Sequence, residues 1–180
     1  TGTVNVTGNY GGGLVGYNWV YYDGYGGYGG VIASSYWDKT INPSASLNNG
    51  FGIGKTTSEM MTLGTFTGWG IADSGGSSAV WRIYDGKTYP LLWSFLTPTT
   101  VTANNASKTY NGLAYTGDNG VTCSTGKAGI CDANYLLGGN GGTSPGINAG
   151  IYTLTPSGYY SSQQGYDITF GAGGTLTVNP

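Results

Sequence analysis

The 180-residue chain has no histidine, and its six basic and eight acidic side chains make up 8% of residues, against roughly 25% in ordinary globular domains. Proton transfer and metal binding draw mostly on His, Asp, Glu, Lys and Cys, so little material remains for an active site. A Ser-His-Asp triad is excluded outright. A net charge of -2 and a pI near 4.6 leave no basic footprint, which argues against nucleic acid and anionic membrane as partners. No apolar run approaches the roughly 18 residues of a membrane-spanning helix. No charged and then hydrophobic signal opens the chain either; it starts in mid-pattern at 1–6 (TGTVNV) and is expected to be a piece of something longer.

Cysteine is nearly absent as well. Cys123 and Cys131 are the only two, separated by a flexible segment at 124–130 (STGKAGI) that can fold back on itself. They are read as a disulfide, which places the chain in an oxidising compartment; two free thiols in a reducing one are the alternative. Two cysteines without histidine supply half of a usual zinc ligand set, so no metal site is expected.

Present in excess are 36 glycines and 16 tyrosines, with 5 tryptophans. Apolar residues at 38% are enough for a core, and hydroxyls and amides must do the solvating. Period-2 alternation or β-branched residues at strand length occur at 3–7 (TVNVT), 80–84 (VWRIY), 99–103 (TTVTA), 152–155 (YTLT) and 175–178 (TLTV). One helix is expected, opening with a capping box from Thr56 to Glu59 and ending at Gly64. Short apolar triplets between Gly and Asn turns in the first half suit the coils of a β-solenoid. The texture changes near Pro98 from Gly, Tyr and Trp to Thr, Asn, Ser and Gly, which divides the chain in two.

The pieces at 12–16 (GGLVG), 35–38 (SYWD), 54–60 (GKTTSEM), 65–69 (TFTGW) and 81–91 (WRIYDGKTYPL) resemble, in order and spacing, the closing section of GLUG-motif repeats. Such repeats occur in large bacterial surface proteins, including filamentous-haemagglutinin-like adhesins of two-partner secretion systems. The second half, at 101–117 (VTANNASKTYNGLAYTG), 148–158 (NAGIYTLTPSG), 165–170 (GYDITF) and 174–178 (GTLTV), looks like a YDG or MBG-type repeat, with Asn111 where the family name has Asp. The cysteine loop is not a feature of that family. The resemblance implies an all-β chain: terminal coils of a right-handed parallel β-helix with one short capping helix over 1–96, then a small β-sandwich or β-grasp-like module over 97–180. It further implies export with an outer-membrane secretion partner, display at the extracellular bacterial cell surface, and adhesion to host or neighbouring cells, glycans among the targets. Residues 56–95, with Trp69, Trp81, Tyr89 and Trp93, are the candidate cap of the solenoid, with ordinary aromatic core packing as the alternative reading of the same rings.

Two features bear on binding and catalysis. Trp19, Tyr21, Tyr22, Tyr25 and Tyr28 lie among glycines, either as rings that fill or cover the solenoid or as an exposed ligand-contact patch for sugars or a partner. Because parallel β-helices also carry glycosidases, the carboxylates Asp23, Asp38, Glu59, Asp73 and Asp85 are the candidates for a catalytic pair. None has a neighbouring carboxylate, and the Asp85-Gly86-Lys87 stretch reads as a hairpin turn. Asp118 and Asp132 read as turn residues in preference to calcium ligands. The expectation is a non-enzymatic, cofactor-free segment of a secreted fibre, acting by stiffness and multivalent contact. A carbohydrate-binding module built on Tyr21 to Tyr28 and a ligand-free stalk spacer are the alternatives.

Overall fold

The computed structural model describes residues 12–15, 21–22, 27–28, 30–43 and 51–180, and among these the fold is all-β with short helical turns. The chain divides into two compact units, Thr1–Trp69 and Gly70–Pro180. The division in packing therefore does not coincide with the change of composition at Pro98.

In the first unit, β1 (Tyr21–Tyr22) and β2 (Gly27–Tyr28) form a short antiparallel pair, with Tyr21 in register with Tyr28. Strand β3 (Tyr36–Asp38) runs parallel to β4 (Ile53–Lys55), and the helix α1 (Thr57–Met60) follows at once. The capping box forms: Thr56 Oγ1 accepts from the Glu59 amide at 3.2 Å and the Thr56 amide donates to the Glu59 carboxylate at 2.7 Å. Helix α1 is only one turn long, and a 3₁₀ turn at Leu63–Phe66 carries the chain onward. Asp38 fixes this corner by accepting from the amides of Thr40 and Ile41 and from the Thr57 hydroxyl. Phe66 packs edge-on against Tyr36 and tilted against Trp69, with centroids 5.5 and 5.1 Å away. The expected strand at 3–7 lies outside the described residues.

The second unit opens with β5 (Ile71–Ala72), parallel to β6 (Trp81–Arg82), which pairs antiparallel with β7 (Leu91–Leu92). The Asp85-Gly86-Lys87 turn stands at the tip of this hairpin, where the Lys87 amide donates to the Tyr84 carbonyl. Next come β8 (Thr97–Ala103), β9 (Ala106–Thr109), β10 (Val121–Cys123), β11 (Leu137–Thr143), β12 (Gly150–Tyr160), β13 (Tyr166–Phe170) and β14 (Gly174–Asn179). They form one sheet ordered β10-β8-β13 and another ordered β11-β12-β14-β9, each mixing parallel and antiparallel pairs.

Among the described residues, parallel pairing is confined to four pairs: β3–β4, β5–β6, β8–β13 and β9–β14. None of them extends into a stack of solenoid coils. Parallel coils need each strand to be backed by the next at the same height. Here β6 instead turns back through a hairpin into β7.

Alternation sets the inner face of the second unit. Thr99, Val101 and Ala103 are buried along β8, and Leu176 and Val178 along β14, with exposed or half-buried residues between them. Burying each such aliphatic side chain is worth roughly 1.5–3 kcal/mol. One core cluster unites Tyr84, Leu91, Leu96, Val101, Cys123, Tyr166 and Ile168; a second unites Ala103, Leu154, Leu176 and Val178. Leu96 thus belongs to the core, and Thr97 and Pro98 open strand β8. Pro98 is tolerated in β8 because β10 pairs only with Val101 to Ala103, so no ladder partner on that side requires its missing amide.

Candidate functional site

Trp19 and Tyr25 lie outside the described residues, and Tyr21, Tyr22 and Tyr28 are placed by the backbone of β1 and β2. Of the aromatics expected to form one cap, Trp69 belongs to the first compact unit and Trp81, Tyr89 and Trp93 to the second. Cys123 and Cys131 are joined as a disulfide, their Cα atoms 5.1 Å apart. Cys123 is buried opposite Val101 in the sheet, so the bridge ties the 124–130 loop to the core. Beside it lies a depression of about 540 Å3 bordered by Lys127, Ile130, Asp132 and Tyr166.

Among the candidate carboxylates, Asp23 lies outside the described residues, and Asp38 and Glu59 bond both backbone amides and side-chain groups. Asp38 holds its own turn, and Glu59 caps α1. The Thr56 amide and hydroxyl, with Lys55 as a smaller contributor, hold the Glu59 carboxyl below its ordinary range. Asp118 accepts from the amide of Gly120 and Asp132 from that of Asn134, as Asx turns do, and Asp118 also accepts from the amide of Gly141, 23 residues away.

The feature that sequence reasoning missed is built around Asp167. Strand β13 breaks alternation, since Tyr166, Asp167 and Ile168 are all buried. One edge of β13 pairs with β8, and the other is covered by residues 75–84. Arg82, the single arginine of the chain, reaches Asp167 Oδ1 through Nε at 3.2 Å, while Oδ2 accepts from the Gly76 amide at 2.9 Å and from Trp93 Nε1 at 3.0 Å. Arg82 also donates through Nη1 to the carbonyls of Ala72 and Ile83, so both charges have hydrogen-bonded surroundings. Gly75 approaches β13 so closely that a Cβ there would stand 2.0 Å from the Ile168 carbonyl oxygen.

Tyr84 completes the seal. Its hydroxyl donates to the Tyr166 carbonyl at 2.7 Å and accepts from the Ile168 amide at 3.1 Å, taking the place of a neighbouring strand. The Arg82 guanidinium lies 4.0 Å from the centroid of the Tyr84 ring. Burial pushes the Tyr84 hydroxyl above the ordinary tyrosine range. Gln163 performs a similar service for β7, its amide group bonding both the N–H and the carbonyl of Leu92.

Above this seal is a cleft of about 220 Å3, with Tyr84, Tyr159, Tyr160 and Phe170 as its aromatic lining and Asp73, Arg82, Asp85 and Lys87 as its charged lining. Two glycines in β11 set the depth at which the paired tyrosines lie. A Cβ on Gly139 would come within 2.3 Å of the Tyr159 ring, and one on Gly138 within 2.8 Å of the Tyr160 ring; both glycines have positive φ, 78° and 61°. Burial, and secondarily the Asp118 charge, pushes the Tyr159 hydroxyl up. The sequence held one available signal for this region, the lone arginine in a strand. Its partner, 85 residues away, had none.

Comparison of the chain with protein-family models, with curated proteins and with solved structures gave no match in any of the three.

Proposed function

We propose that this chain is a structural and adhesive segment of a secreted bacterial surface fibre, acting by stiffness and by many weak contacts. The observation that carries this reading is the Cys123–Cys131 disulfide within an all-β fold of low charge, since such bridges persist in oxidising, extracellular compartments. The GLUG-like and YDG-like pieces support it from the sequence side. On this reading the parallel pair β3–β4 of the first unit belongs to the end of a right-handed parallel β-helix, and the two sheets of the second unit form a β-sandwich or β-grasp-like module. Export then requires an outer-membrane secretion partner for the parent protein. Modest affinities are multiplied when many copies are displayed together.

An antibody raised against the 180-residue chain tests the location. Labelling of intact cells that make the parent protein is expected, and labelling only after permeabilisation overturns the reading. Beads coated densely with the chain test adhesion: they are expected to adhere to epithelial or bacterial cells where the soluble chain does not. Beads that fail to adhere leave the ligand-free stalk spacer as the correct reading. Adhesion abolished by Tyr21→Ala with Tyr25→Ala and competed by free glycans would favour the carbohydrate-binding module built on the Tyr21 to Tyr28 cluster.

A further inference from the structure

The cleft above Tyr84 has a chemistry that the fibre reading does not use. Tyr84 is buried, with Arg82 over its ring and its hydroxyl bonded to β13, so the open aromatic surface of the cleft is that of Phe170 and the half-buried Tyr159 and Tyr160, suited to a ligand with one C–H face and a rim of hydroxyls. Its exposed polar groups carry both signs: a carboxylate accepts only, and the Lys87 ammonium donates only. Hydroxyls do both, so a polyol satisfies Asp73 and Lys87 together. A cationic ligand would lie near Arg82 and Lys87, whereas an anion would face Asp73 and Asp85. At about 220 Å3 the cleft is smaller than the roughly 300–1,000 Å3 of sites for drug-sized ligands, which limits the occupant to about one ring.

The site is also preorganised. Tyr84 is held by two hydrogen bonds to β13, and Tyr159 and Tyr160 rest against backbone that lacks side chains at Gly139 and Gly138. Rings that are already fixed lose little freedom on binding. Phe170, 43% exposed at the end of β13, is the aromatic that remains open to solvent.

We propose that the cleft lined by Tyr84, Tyr159, Tyr160 and Phe170 binds one neutral hexose ring, with Asp73 accepting from and Lys87 donating to its hydroxyls. This site is separate from the Tyr21 to Tyr28 cluster and stands whether or not the chain is part of a fibre.

The test is an amide NMR titration of the 180-residue chain with the methyl glycosides of glucose, galactose, mannose and N-acetylglucosamine, run beside choline chloride. At least one glycoside is expected to shift the amides of Lys87, Gly158 and Phe170 with millimolar affinity. Asp73→Asn and Phe170→Ala are each expected to weaken that binding by about tenfold or more, and Tyr110→Ala, an exposed aromatic outside the cleft, to leave it unchanged. Should Phe170→Ala lose the dispersed spectrum of a folded chain, Lys87→Ala on the exposed turn takes its place with the same expected loss. The proposal is overturned if no glycoside shifts these amides, if the shifts map elsewhere, if the cleft variants bind as the parent does, or if choline alone occupies the site.

Discussion

Arg82 and Asp167 meet at 3.2 Å with their side chains only 4% and 1% exposed, joining the β5–β7 segment to the central sheet of the second unit. Removing one partner of a buried pair leaves the other charge uncompensated, and that cost exceeds what the intact pair contributes over an apolar replacement. Asp167→Ala is therefore expected to lower unfolding free energy by about 3–5 kcal/mol, and the double substitution Arg82→Met with Asp167→Leu to recover only the part due to the uncompensated charge, since the Gly76 amide, Trp93 Nε1 and the carbonyls of Ala72 and Ile83 still lose their partners. Urea denaturation of the two variants measures both; a double variant as unstable as Asp167→Ala would contradict the argument.

Tyr84→Phe removes the hydroxyl that bridges Tyr166 and Ile168 and leaves a buried carbonyl and amide without that partner. The expected loss is about 1–3 kcal/mol. The hydroxyl is raised above its unfolded value, so its stabilising contribution is complete below about pH 10 and disappears as pH climbs through the folded value. Urea midpoints followed into the alkaline range should fall less steeply for Tyr84→Phe than for the parent chain.

The capping box acts at the other end of the pH scale. Because the Glu59 carboxyl is held below its ordinary range, its contribution is present above the usual carboxylate value and is lost as pH drops through the folded one. The Thr56 amide shift, followed in an acid titration, should show a midpoint below the ordinary glutamate value of 4.5. Thr56→Ala should bring the Glu59 midpoint back towards that value and increase hydrogen exchange at the Met60 and Met61 amides, which bond to the Thr56 and Thr57 carbonyls.

Reduction of the Cys123–Cys131 bridge releases a short loop, and the chain-entropy relation assigns it about 2.5 kcal/mol. Alkylation of denatured chain should add no mass before reduction and two adducts after it. The reduced protein should unfold at lower urea. Free thiols in secreted material would remove the support for an extracellular compartment.

Several elements were legible because their causes are local. The alternation at 99–103 and 175–178 became β8, which is longer by two residues at its start, and β14, which is longer by one at each end. Thr56 and Glu59 are three residues apart and found one another as the capping box requires. The stretch from Asp85 to Lys87 turned, and Asp118 and Asp132 each bonded an amide two residues on. The break at Pro98 was not legible in the same way: composition changes there, but Leu96 packs with Val101 and Ile168, and a residue's packing partners do not follow the texture of its neighbours.

By itself, then, the sequence determined a strand-rich, weakly charged chain with one capped turn of helix and a closable cysteine loop, since each of these depends on residues within a few positions. Tertiary structure alone decided that the single arginine would be buried against Asp167, 85 residues away, and that Tyr84 would stand in for a missing strand along β13. It also brought Asp73, Tyr84, Tyr159 and Phe170 around one cleft. Such contacts answer to the desolvation of a charge and the closing of a strand edge, demands that arise only once the sheets have formed.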